Sequence, residues 1–368
     1  MHKVRFILNT SLFISKPLDT SKLVEQSFTT SAPSNIALVK YWGKKEGQIP
    51  ANASLSFTLQ NCYTKTKLTC VRLETSNNDL DFSVYFEKQR SQSFEPKIAG
   101  FFKAISPYMP FLAHYKFKIE TENTFPHSSG IASSASGMAA LSVCLMQLER
   151  ALNPKITQEY FIKKASFLAR LGSGSACRSI EGPVIIWGKH VAIDRSSNLY
   201  GIKLPCELHP IYNNYCDSIL LVDKGEKQVS SSLGHGLMLN HPFANERFKQ
   251  ANHHIKTIIE ALKNGDLKSF INIVESEALT LHAMMMTSAP YFILMKPNTL
   301  KIINTVWDFR QQMDLNLCFT LDAGANVHLL YPQSEKMQIQ EFIKNNLLQY
   351  CENSQVIHDT LGFGVQII

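Results

Sequence analysis

The sequence lacks any paired-cysteine motif. Its eight cysteines stand singly, and none forms a CxxC pair or a cysteine–histidine cluster with the spacing of a zinc site. The chain has 368 residues, which is long enough for two domains with substantial cores. Scattered single cysteines in such a chain indicate reduced thiols, so we expect a cytoplasmic protein.

A long apolar run is also absent. No segment reaches the roughly 18 residues that a membrane-spanning helix needs. The opening stretch MHKVRFILNTSLFISKPL superficially resembles a signal peptide, but Asn9, Thr10 and Ser11 interrupt its apolar part and no clear small-residue cleavage site follows. We therefore expect neither export nor membrane association, and we interpret residues 1–27 as a ragged, partly ordered N-terminal extension.

Concentrated positive charge is missing as well. The formal net charge is +7, yet the lysines are dispersed and no basic run exceeds two residues. Proteins that bind nucleic acid usually carry a basic patch or stripe, so this distribution argues against a nucleic-acid partner. A small anionic ligand accounts for local positive charge equally well.

Strand-like and helix-like segments alternate along the chain. Aromatic and β-branched residues predict strands at VYFEKQ (84–89) and HYKFKIET (114–121). The segment 203–217 contains two prolines and two adjacent asparagines without a clean period, which indicates a connection between domains. No internal repeat is present. The pattern predicts two mixed α+β domains with antiparallel sheets.

Helical periodicity is present in seven segments. They are 96–109, 138–151, 157–171, 244–264, 267–284, 299–313 and 334–348. The stretches EGPVIIWG and HVAIDR predict a hairpin, and DSILLVDKG predicts a buried strand. CFTLDAGANVHLLYP predicts a strand, a tight turn and a second strand, and QVIHDTLGFGVQII predicts a final strand interrupted by glycine.

The stretch PHSSGIASSASG (126–137) places five serines and two glycines directly before an apolar helix. A helix N-terminus carries unpaired backbone N–H groups and partial positive charge, and small residues let a phosphate approach them. The motif differs from both GxGxxG and the Gly-Lys-Ser/Thr loop. The structural alternative is tight packing with one serine as a helix cap, although five serines exceed what one cap requires.

Three further clusters combine small and charged residues. PSNIALVKYWGKK (33–45) carries three lysines around Tyr41 and Trp42. GSGSACRS (172–179) carries an arginine, whose planar fork suits phosphate or carboxylate. TLDAGAN (320–326) places an aspartate at the end of a predicted strand. The structural alternatives are a strand with a solvated lysine end, a flexible turn and an Asx-type turn.

Together, the four clusters resemble the diphosphomevalonate decarboxylase family, part of the GHMP superfamily of small-molecule kinases. The matching stretches are APSNIALVKYWGKK, NTFPHSSGIASSASGMAAL, RLGSGSACRSIEGPVIIWG, VSSSLG and TLDAGAN, with a weaker match at TLHAMMMTSAPYF (280–292). Their order and spacing agree with the family from about residue 28 onward. The serine-glycine loop indicates only the wider superfamily, whereas SNIALVKYWGK combined with GSGSACRS is typical of the decarboxylases.

The resemblance implies the two-domain α+β fold of the GHMP kinases. Residues 28–212 would form an N-terminal domain that resembles a domain of a ribosomal protein and carries the ATP phosphate loop. Residues 213–368 would form a ferredoxin-like C-terminal domain that carries the catalytic aspartate. The active site would lie in the cleft between them, after an extension formed by residues 1–27. Family members are often dimeric, so a homodimer is expected.

The implied reaction uses ATP and Mg²⁺. The 3-hydroxyl of (R)-5-diphosphomevalonate would be phosphorylated, and loss of phosphate and CO2 would then yield isopentenyl diphosphate, an isoprenoid precursor. Phosphorylation is needed because a tertiary hydroxyl is a poor leaving group. Two alternatives remain open. One is a sister enzyme that acts on mevalonate 5-phosphate or only phosphorylates the 3-hydroxyl of mevalonate, and the other is a non-catalytic nucleotide-binding sensor.

The resemblance also implies roles for individual residues. Asp322 would orient or deprotonate the 3-hydroxyl, and Lys40 would stabilise charge on the transferred phosphoryl group. The expected substrate-binding residues are Asn35, Tyr41, Trp42, Gly43, Lys44, Lys97, Ser173, Gly174, Ser175, Ala176, Cys177, Arg178 and Ser232. The expected contacts to the ATP phosphates are Ser128, Ser129, Gly130, Ile131, Ala132, Ser133, Ser134 and Ser136. Ser133 or Ser134 would also contact Mg²⁺.

The chain departs from the family pattern at several positions. Ala325 stands where many relatives have proline, which predicts that Asp322 is held less rigidly. Lys97 stands where relatives have an arginine that contacts the diphosphate, and lysine lacks the two-pronged geometry. Ser232 stands where some bacterial relatives have another arginine, and EGP (181–183) where relatives often read FGG. These differences bear mainly on recognition of the diphosphate.

Other polar and sulfur-containing residues are interpreted as structural. His253 and His254 lack the i, i+4 spacing of a metal pair, so we expect them on a solvated helix face. Met284–Met286 and His282 are expected to pack. Cys177 has neither a second cysteine nor an evident base nearby, which favours a space-filling role.

Overall fold

The structure, a computed structural model, describes residues 9–77, 80–126, 131–223 and 231–368. The strands are β1 (Glu25–Val39), β2 (Lys44–Lys45), β3 (Ile49–Pro50), β4 (Ser54–Arg72), β5 (Phe82–Phe86), β6 (Gln89–Arg90), β7 (Tyr115–Asn123), β8 (Val184–Trp187), β9 (Ile202–Lys203), β10 (Cys216–Leu220), β11 (Cys318–Thr320), β12 (Val327–Tyr331), β13 (Val356–Thr360) and β14 (Gln366–Ile367). The helices are α1 (Glu95–Ile105), α2 (Ser133–Leu152), α3 (Gln158–Gly172), α4 (Ser231–Leu237), α5 (Ala244–Asn264), α6 (Leu267–Met286), α7 (Pro297–Met313) and α8 (Lys336–Phe342). Within these ranges, no helix is long and apolar enough to cross a membrane.

The larger sheet is built on two long strands, β1 and β4. Its order is β14-β1-β4-β7-β5-β6, and β8 pairs with β4 while β9 pairs with β8. All of these pairs are antiparallel except β5 with β7. The ladder between β1 and β4 shifts register near Pro33 and again between Ala37 and Val39. Such shifts bend a strand, and they lie here just before Lys40.

Helix α2 packs against β1 and β4 of the larger sheet, and α3 packs against α2. Most of α2 is buried on every side, as its apolar composition predicts. Its apolar side chains join those of α1, α3, β4 and β7 in the core of this half of the chain. The beginning of α2 is thereby fixed against the strands that lead to the candidate site.

The smaller sheet has four antiparallel strands in the order β11-β12-β10-β13. Along the chain its elements run from β10 through α4–α7 to β11 and β12, and then through α8 to β13. This is the β-α-β-β-α-β arrangement of a ferredoxin-like domain. The predicted fold class, two α+β parts with the expected ferredoxin-like second half, is confirmed.

The end of the chain returns to the larger sheet. β14 pairs with β1, and the Asp359 carboxylate accepts hydrogen bonds from the backbone N–H groups of Gln60, Asn61 and Cys62, at 2.7–3.0 Å. These contacts hold the two halves together beside the irregular middle of β4. The predicted domain boundary after residue 212 stays a prediction.

The predicted helices all appear at or near the expected positions, whereas the predicted hairpin is wrong. β8 matches VIIW, but its partners are β4 and β9 rather than HVAIDR. Residues 191–195 form turns, and Val191 is fully exposed. The apolar alternation in HVAIDR therefore does not correspond to a buried face.

The N-terminal extension is packed rather than ragged where it is described. Phe13 is fully buried and stacks on Phe167 of α3, with ring centroids 4.3 Å apart. Ser15 donates a hydrogen bond to Glu149 Oε1 at 2.7 Å and accepts one from Lys164 Nζ at 2.7 Å. Because Glu149 and Lys164 form a buried ion pair, Ser15 adds one hydrogen bond to each of two buried charges.

Candidate active site

Two side chains from opposite halves of the chain meet at the centre of the site. Lys40 directly follows β1, and Asp322 lies just beyond the end of β11. Lys40 Nζ lies 3.1 Å from Asp322 Oδ1. The Lys40 side chain is 2% exposed, whereas that of Asp322 is 29% exposed. The ammonium therefore supports a carboxylate that solvent, and hence a ligand, reaches.

The Lys40 ammonium has a second acceptor. It donates a hydrogen bond to the carbonyl of Ala37 at 2.6 Å, three residues earlier on β1. Burial lowers the pKa of Lys40, and the neighbouring Asp322 charge opposes that effect. The two acceptors fix the direction of the side chain toward the turn that carries Asp322.

The turn that carries Asp322 is held by hydrogen bonds from other elements. The Asp322 carbonyl accepts a hydrogen bond from Gly324 N–H at 2.7 Å and another from His282 Nε2 at 3.1 Å. Thr299 Oγ1 of α7 donates to the carbonyl of Ala325 at 2.7 Å. These bonds restrain the turn even though Ala325 replaces the family proline.

His282 does more than pack. Burial lowers its pKa to about 4, so the ring is neutral at ordinary pH and carries the Nε2 proton that it donates to the Asp322 carbonyl. The expectation of a purely packing role for His282 is therefore wrong. Its neighbours in the weak family match, Met284 and Met285, are buried as expected, and Met286 is partly exposed.

Arg178 lies in a buried hydrogen-bonded cluster with Asn35 of β1. Arg178 Nε donates to Asn35 Oδ1 at 3.4 Å, and Nη1 donates to the Ser54 hydroxyl of β4. Asn35 Nδ2 in turn donates to Ser179 Oγ at 2.8 Å. Asn35 therefore positions Arg178.

The loop that carries Arg178 divides into buried and half-buried residues. Gly174, Ala176 and Cys177 are buried, whereas Ser173 and Ser175 are half-buried. A Cβ at Gly174 would approach the Tyr41 ring to 2.8 Å, so only glycine allows this packing. Burial raises the pKa of Cys177 to about 12, which leaves an inert thiol, as predicted.

The turn after Lys40 packs against His235, a residue that the sequence analysis did not single out. His235 of α4 packs against the rings of Tyr41 and Trp42, with centroids 4.2 and 4.8 Å away. Trp42 is buried with Met238 and other apolar side chains, so it supports the site rather than facing a ligand. Tyr41 and Lys44 remain half-buried.

Gly43 has a backbone conformation that glycine favours, with φ of 103°. A Cβ at this position would also come within 2.9 Å of the Phe248 ring of α5. The turn thus packs closely on the second half of the chain. The side chain of Ser232, also in α4, lies outside the described residues.

The N-terminus of α2 holds the described part of the predicted phosphate loop. Ser128, Ser129 and Gly130 lie outside the described residues. Ile131 is buried and its carbonyl accepts a hydrogen bond from Ser34, and Ala132 takes a left-handed conformation with φ of 46° just before the helix. Both can offer only backbone groups.

The three serines of the first helical turn differ in exposure. Ser134 is exposed and Ser133 is half-buried. Ser136 is fully buried, and its hydroxyl lies 2.6 Å from the Thr64 hydroxyl and donates to the Ser133 carbonyl at 3.2 Å. The predicted contact of Ser136 with a phosphate does not fit, because its hydroxyl faces the core.

A largely apolar cavity opens beside this helix N-terminus. Ser133, Ser134 and Met138 of α2 form one wall, and Phe86 of β5 and Lys97 of α1 contribute others. Lys97 therefore lies with the predicted phosphate-loop serines. The expected contact between Lys97 and the substrate's diphosphate stays a prediction.

Sequence reasoning missed a buried carboxylate behind Lys40. Glu277 of α6 accepts a hydrogen bond from the backbone N–H of Lys40 at 2.8 Å. It also accepts from Arg247 of α5 and from His254, whose Nδ1 lies 2.6 Å away. The expectation of a solvated face is wrong for His254, which is partly buried. A charged residue inside the apolar run INIVESEAL was the available signal.

Comparison with known proteins agrees with this arrangement. Residues 32–198 match the model described as the diphosphomevalonate decarboxylase-like N-terminal domain, and residues 218–363 match the mevalonate 5-diphosphate decarboxylase C-terminal domain. A curated relative, diphosphomevalonate decarboxylase mvd1 of Aspergillus fumigatus, is 28% identical over 330 residues, which cover 86% of this chain and 79% of the relative.

Solved structures give the same result. The mevalonate diphosphate decarboxylase of Staphylococcus aureus has a TM-score of 0.79 and 28% identity, and the match covers 94% of this chain and 98% of that chain. A complex with MVAPP, AMPPCP and magnesium also has a TM-score of 0.79, with 27% identity and coverage of 94% and 99%. The two domain models together span most of the chain, and the protein thus belongs to the diphosphomevalonate decarboxylase family.

Proposed function

We propose that this protein uses ATP and Mg²⁺ to convert (R)-5-diphosphomevalonate into isopentenyl diphosphate, ADP, phosphate and CO2. The observation that carries this proposal is the contact between Lys40 and Asp322, 3.1 Å apart at the meeting of the two halves. The names of the relatives and the related complex with MVAPP and AMPPCP support it. The reaction belongs to the mevalonate route of isoprenoid biosynthesis.

Asp322 has the position expected of the group that prepares the nucleophile. It is the more exposed member of the pair, so its carboxylate can accept a hydrogen bond from the tertiary 3-hydroxyl and take its proton as the oxygen attacks phosphorus. Lys40 orients this carboxylate. Its fixed positive charge also stabilises negative charge that develops on the transferred phosphoryl group.

The second stage breaks two bonds. The bond between the tertiary carbon and the oxygen of the new phosphate cleaves. The bond between the carboxylate carbon and the neighbouring carbon also cleaves, its electron pair forms the new double bond, and CO2 leaves. Arg178 is the proposed clamp for the substrate's carboxylate or diphosphate, because its guanidinium is held by Asn35 and Ser54 in a fixed orientation. Tyr41, Lys44, Ser173 and Ser175 are the half-buried candidates for the remaining contacts.

The nucleotide is proposed to lie along α2. The apolar cavity beside Ser133 and Ser134 suits an aromatic base, and the helix N-terminus suits the phosphates. Lys97 is reassigned from the substrate's diphosphate to the nucleotide on the basis of its place in this cavity. The roles of Ser128, Ser129 and Gly130 in the same loop stay predictions.

Mg²⁺ fits as an ion held mainly by phosphate. Among the described residues, no group of three or more histidine, cysteine or acidic side chains could hold a metal by itself. The hydroxyls of Ser133 and Ser134, at the helix N-terminus, are oxygen donors of the kind that Mg²⁺ accepts beside phosphate. When bound, the ion neutralises charge on the phosphates.

The test is an assay of purified protein with ATP, Mg²⁺ and each of three substrates: mevalonate, its 5-phosphate and its 5-diphosphate. ADP and CO2 are measured together. Equal release of both from the 5-diphosphate is the expected result. ADP without CO2 would identify a kinase, release from the 5-phosphate alone would identify the sister decarboxylase, and ATP binding without turnover would identify a sensor.

A homodimer in the cytoplasm, without nucleic acid or membrane partners, completes the proposal. Both the dimer and the compartment rest on the resemblance and the cysteine pattern. Light scattering of the purified protein and fluorescence localisation in cells test them separately from the chemistry.

A further inference from the structure

The Glu277 carboxylate occupies an unusual place among the buried acids of the protein. It is fully buried, yet it accepts hydrogen bonds from three residues of two elements: Lys40 at the end of β1, and Arg247 and His254 of α5. Burial by itself raises the pKa of Glu277, but the Arg247 charge and the hydrogen bonds outweigh burial and hold the pKa below its usual value. The group is therefore an anion next to Lys40.

The bond between Glu277 and Lys40 replaces a strand contact. The ladder between β1 and β4 ends with the pair Val39 and Leu55, so Lys40 has no partner in that ladder. Glu277 accepts the Lys40 N–H at 2.8 Å instead. The Lys40 carbonyl accepts from Asn52 Nδ2 at 3.0 Å. Side chains, rather than a neighbouring strand, thus fix the main chain of Lys40.

Fixing this main chain matters because the lysine side chain must reach Asp322. Lys40 Nζ arrives within 3.1 Å of Asp322 Oδ1 only if its Cα keeps its place at the end of β1. Arg247 strengthens the restraint, since the guanidinium binds Glu277 and its Nη2 lies 3.5 Å from the Lys40 carbonyl. Helices α5 and α6 of the second half therefore hold a catalytic group of the first half.

Glu277 also contributes charge. The ionisable side chains around Lys40 are Asp322 from the turn after β11, Glu277 and His282 from α6, Arg247 from α5, and Arg178 from the loop after α3. Of these, the two carboxylates favour the ammonium form of Lys40, while Arg178 and burial disfavour it. Loss of the Glu277 charge would lower the pKa of Lys40 further.

We propose that Glu277 is a positioning residue that fixes the main chain of Lys40 and supplies the second negative charge facing its ammonium. This inference rests on the proposed roles of Lys40 and Asp322. It assigns a function in the reaction to a side chain that binds the backbone of Lys40. Arg247 and His254 hold Glu277 in turn.

The test compares Glu277→Gln with Glu275→Gln. Glu275 lies on the same helix, is also buried, and pairs with Arg310 and Trp307 rather than with Lys40. Each variant loses a buried carboxylate, so both should lower the unfolding temperature. Only Glu277→Gln should lower kcat, by about 10- to 100-fold. Its KM for both substrates should stay within about threefold of the wild-type value.

The pH profile distinguishes positioning from general destabilisation. Activity that needs the Lys40 ammonium falls as pH rises through the pKa of Lys40. In Glu277→Gln the pKa of Lys40 is lower, so this alkaline limb of kcat moves to lower pH. In Glu275→Gln the pKa of Lys40 is unchanged, so the limb stays in place. Wild-type kcat and an unmoved limb in Glu277→Gln would overturn the proposal, and so would the same shift in both variants.

A third variant keeps the proposal testable if Glu277→Gln does not fold. Glu277→Asp keeps the charge and shortens the side chain, so it should fold and retain the wild-type alkaline limb while kcat falls. Wild-type kcat in Glu277→Asp would overturn the positioning role. Failure of the proposed function is distinguishable, because then the wild-type protein itself would release no CO2.

Discussion

Gly43 donates its backbone N–H to Nδ1 of His235, 3.0 Å away, and so ties the turn after Lys40 to helix α4. An imidazole nitrogen that accepts a hydrogen bond carries no proton. Burial lowers the pKa of His235 to about 3, and the charges of Lys44 and Arg178 act in the same direction. The closed arrangement of this turn therefore requires a neutral histidine.

This relationship predicts an acid-sensitive stability. Below its ordinary pKa of about 6.5 the unfolded histidine takes up a proton, while the folded one stays neutral until about pH 3. Stability is thus lost as pH falls from about 6.5 toward 3, by about 2 kcal/mol between pH 7 and pH 5 from this group. The free energy of unfolding in urea, measured at both pH values, gives the loss.

The variant His235→Asn isolates the effect. Asparagine offers an acceptor oxygen to Gly43 but does not titrate in this range. Its stability should change less than that of the wild-type protein between pH 7 and pH 5. An identical pH dependence in both proteins would show that His235 is not the responsible group.

Asp322→Asn should abolish turnover. The amide cannot take a proton from the substrate hydroxyl, so kcat should fall by at least about 100-fold. ATP affinity, measured by calorimetry, should stay nearly unchanged because the proposed nucleotide cavity lies along α2. Asp308→Asn, at an exposed position on α7, serves as the control and should retain full activity. Near-normal turnover in Asp322→Asn would mean that another acid prepares the nucleophile.

Arg178→Gln should act mainly through substrate affinity. The guanidinium can give two charge-assisted hydrogen bonds to an anion, and glutamine gives neither the charge nor the fork. KM for diphosphomevalonate should rise about 10- to 100-fold, a range that matches the loss of one charged hydrogen bond. Steady-state kinetics with Arg195→Gln, a fully exposed arginine, provide the comparison. An unchanged KM would remove Arg178 from the proposed clamp.

Phe13→Ala should destabilise the protein by about 3–5 kcal/mol, because a fully buried ring that stacks on Phe167 is lost. Leu12→Ala removes a neighbouring side chain that is 51% exposed, and it should cost far less. Denaturant unfolding of the two variants gives the difference. Equal, small effects would indicate that the N-terminal segment does not contribute to the core.

Much of the fold could be predicted because its helices are long and strongly periodic. The helices α5 and α6 lie within two residues of their expected bounds, and the strand-turn-strand around Asp322 appears as expected. Of the two longest strands, the end of β1 was considered only as a structural alternative for residues 33–45, and β4 was not predicted. β1 and β4 bury small polar residues, among them Ser34, Asn35, Ser54 and Ser56, where a strand pattern calls for apolar ones. Ser34, Asn35 and Ser54 are buried because they meet hydrogen-bonding partners, and such burial is not visible in periodicity.

Some residues of the candidate site could be predicted from the sequence, and others could not. Lys40, Arg178 and Asp322 lie in motifs of unusual composition, and such motifs can be recognised from the sequence alone. His235 and Glu277 stand in ordinary helical sequence, and their importance comes from the partners they meet across the cleft. The polar face of its helix predicts a solvated His254, whereas the structure pairs this residue with Glu277 of the adjacent helix.

By itself, the sequence determined the elements with strong periodicity, the reduced cysteines and the motifs that carry charge beside small residues, because these are local properties. Only the tertiary structure decided which charges meet. Lys40 and Asp322 lie 282 positions apart, yet they come within 3.1 Å, and Ser136 turns inward although it shares a motif with Ser133. The reason is that packing of the two halves fixes the direction of each side chain, and direction has no local signature.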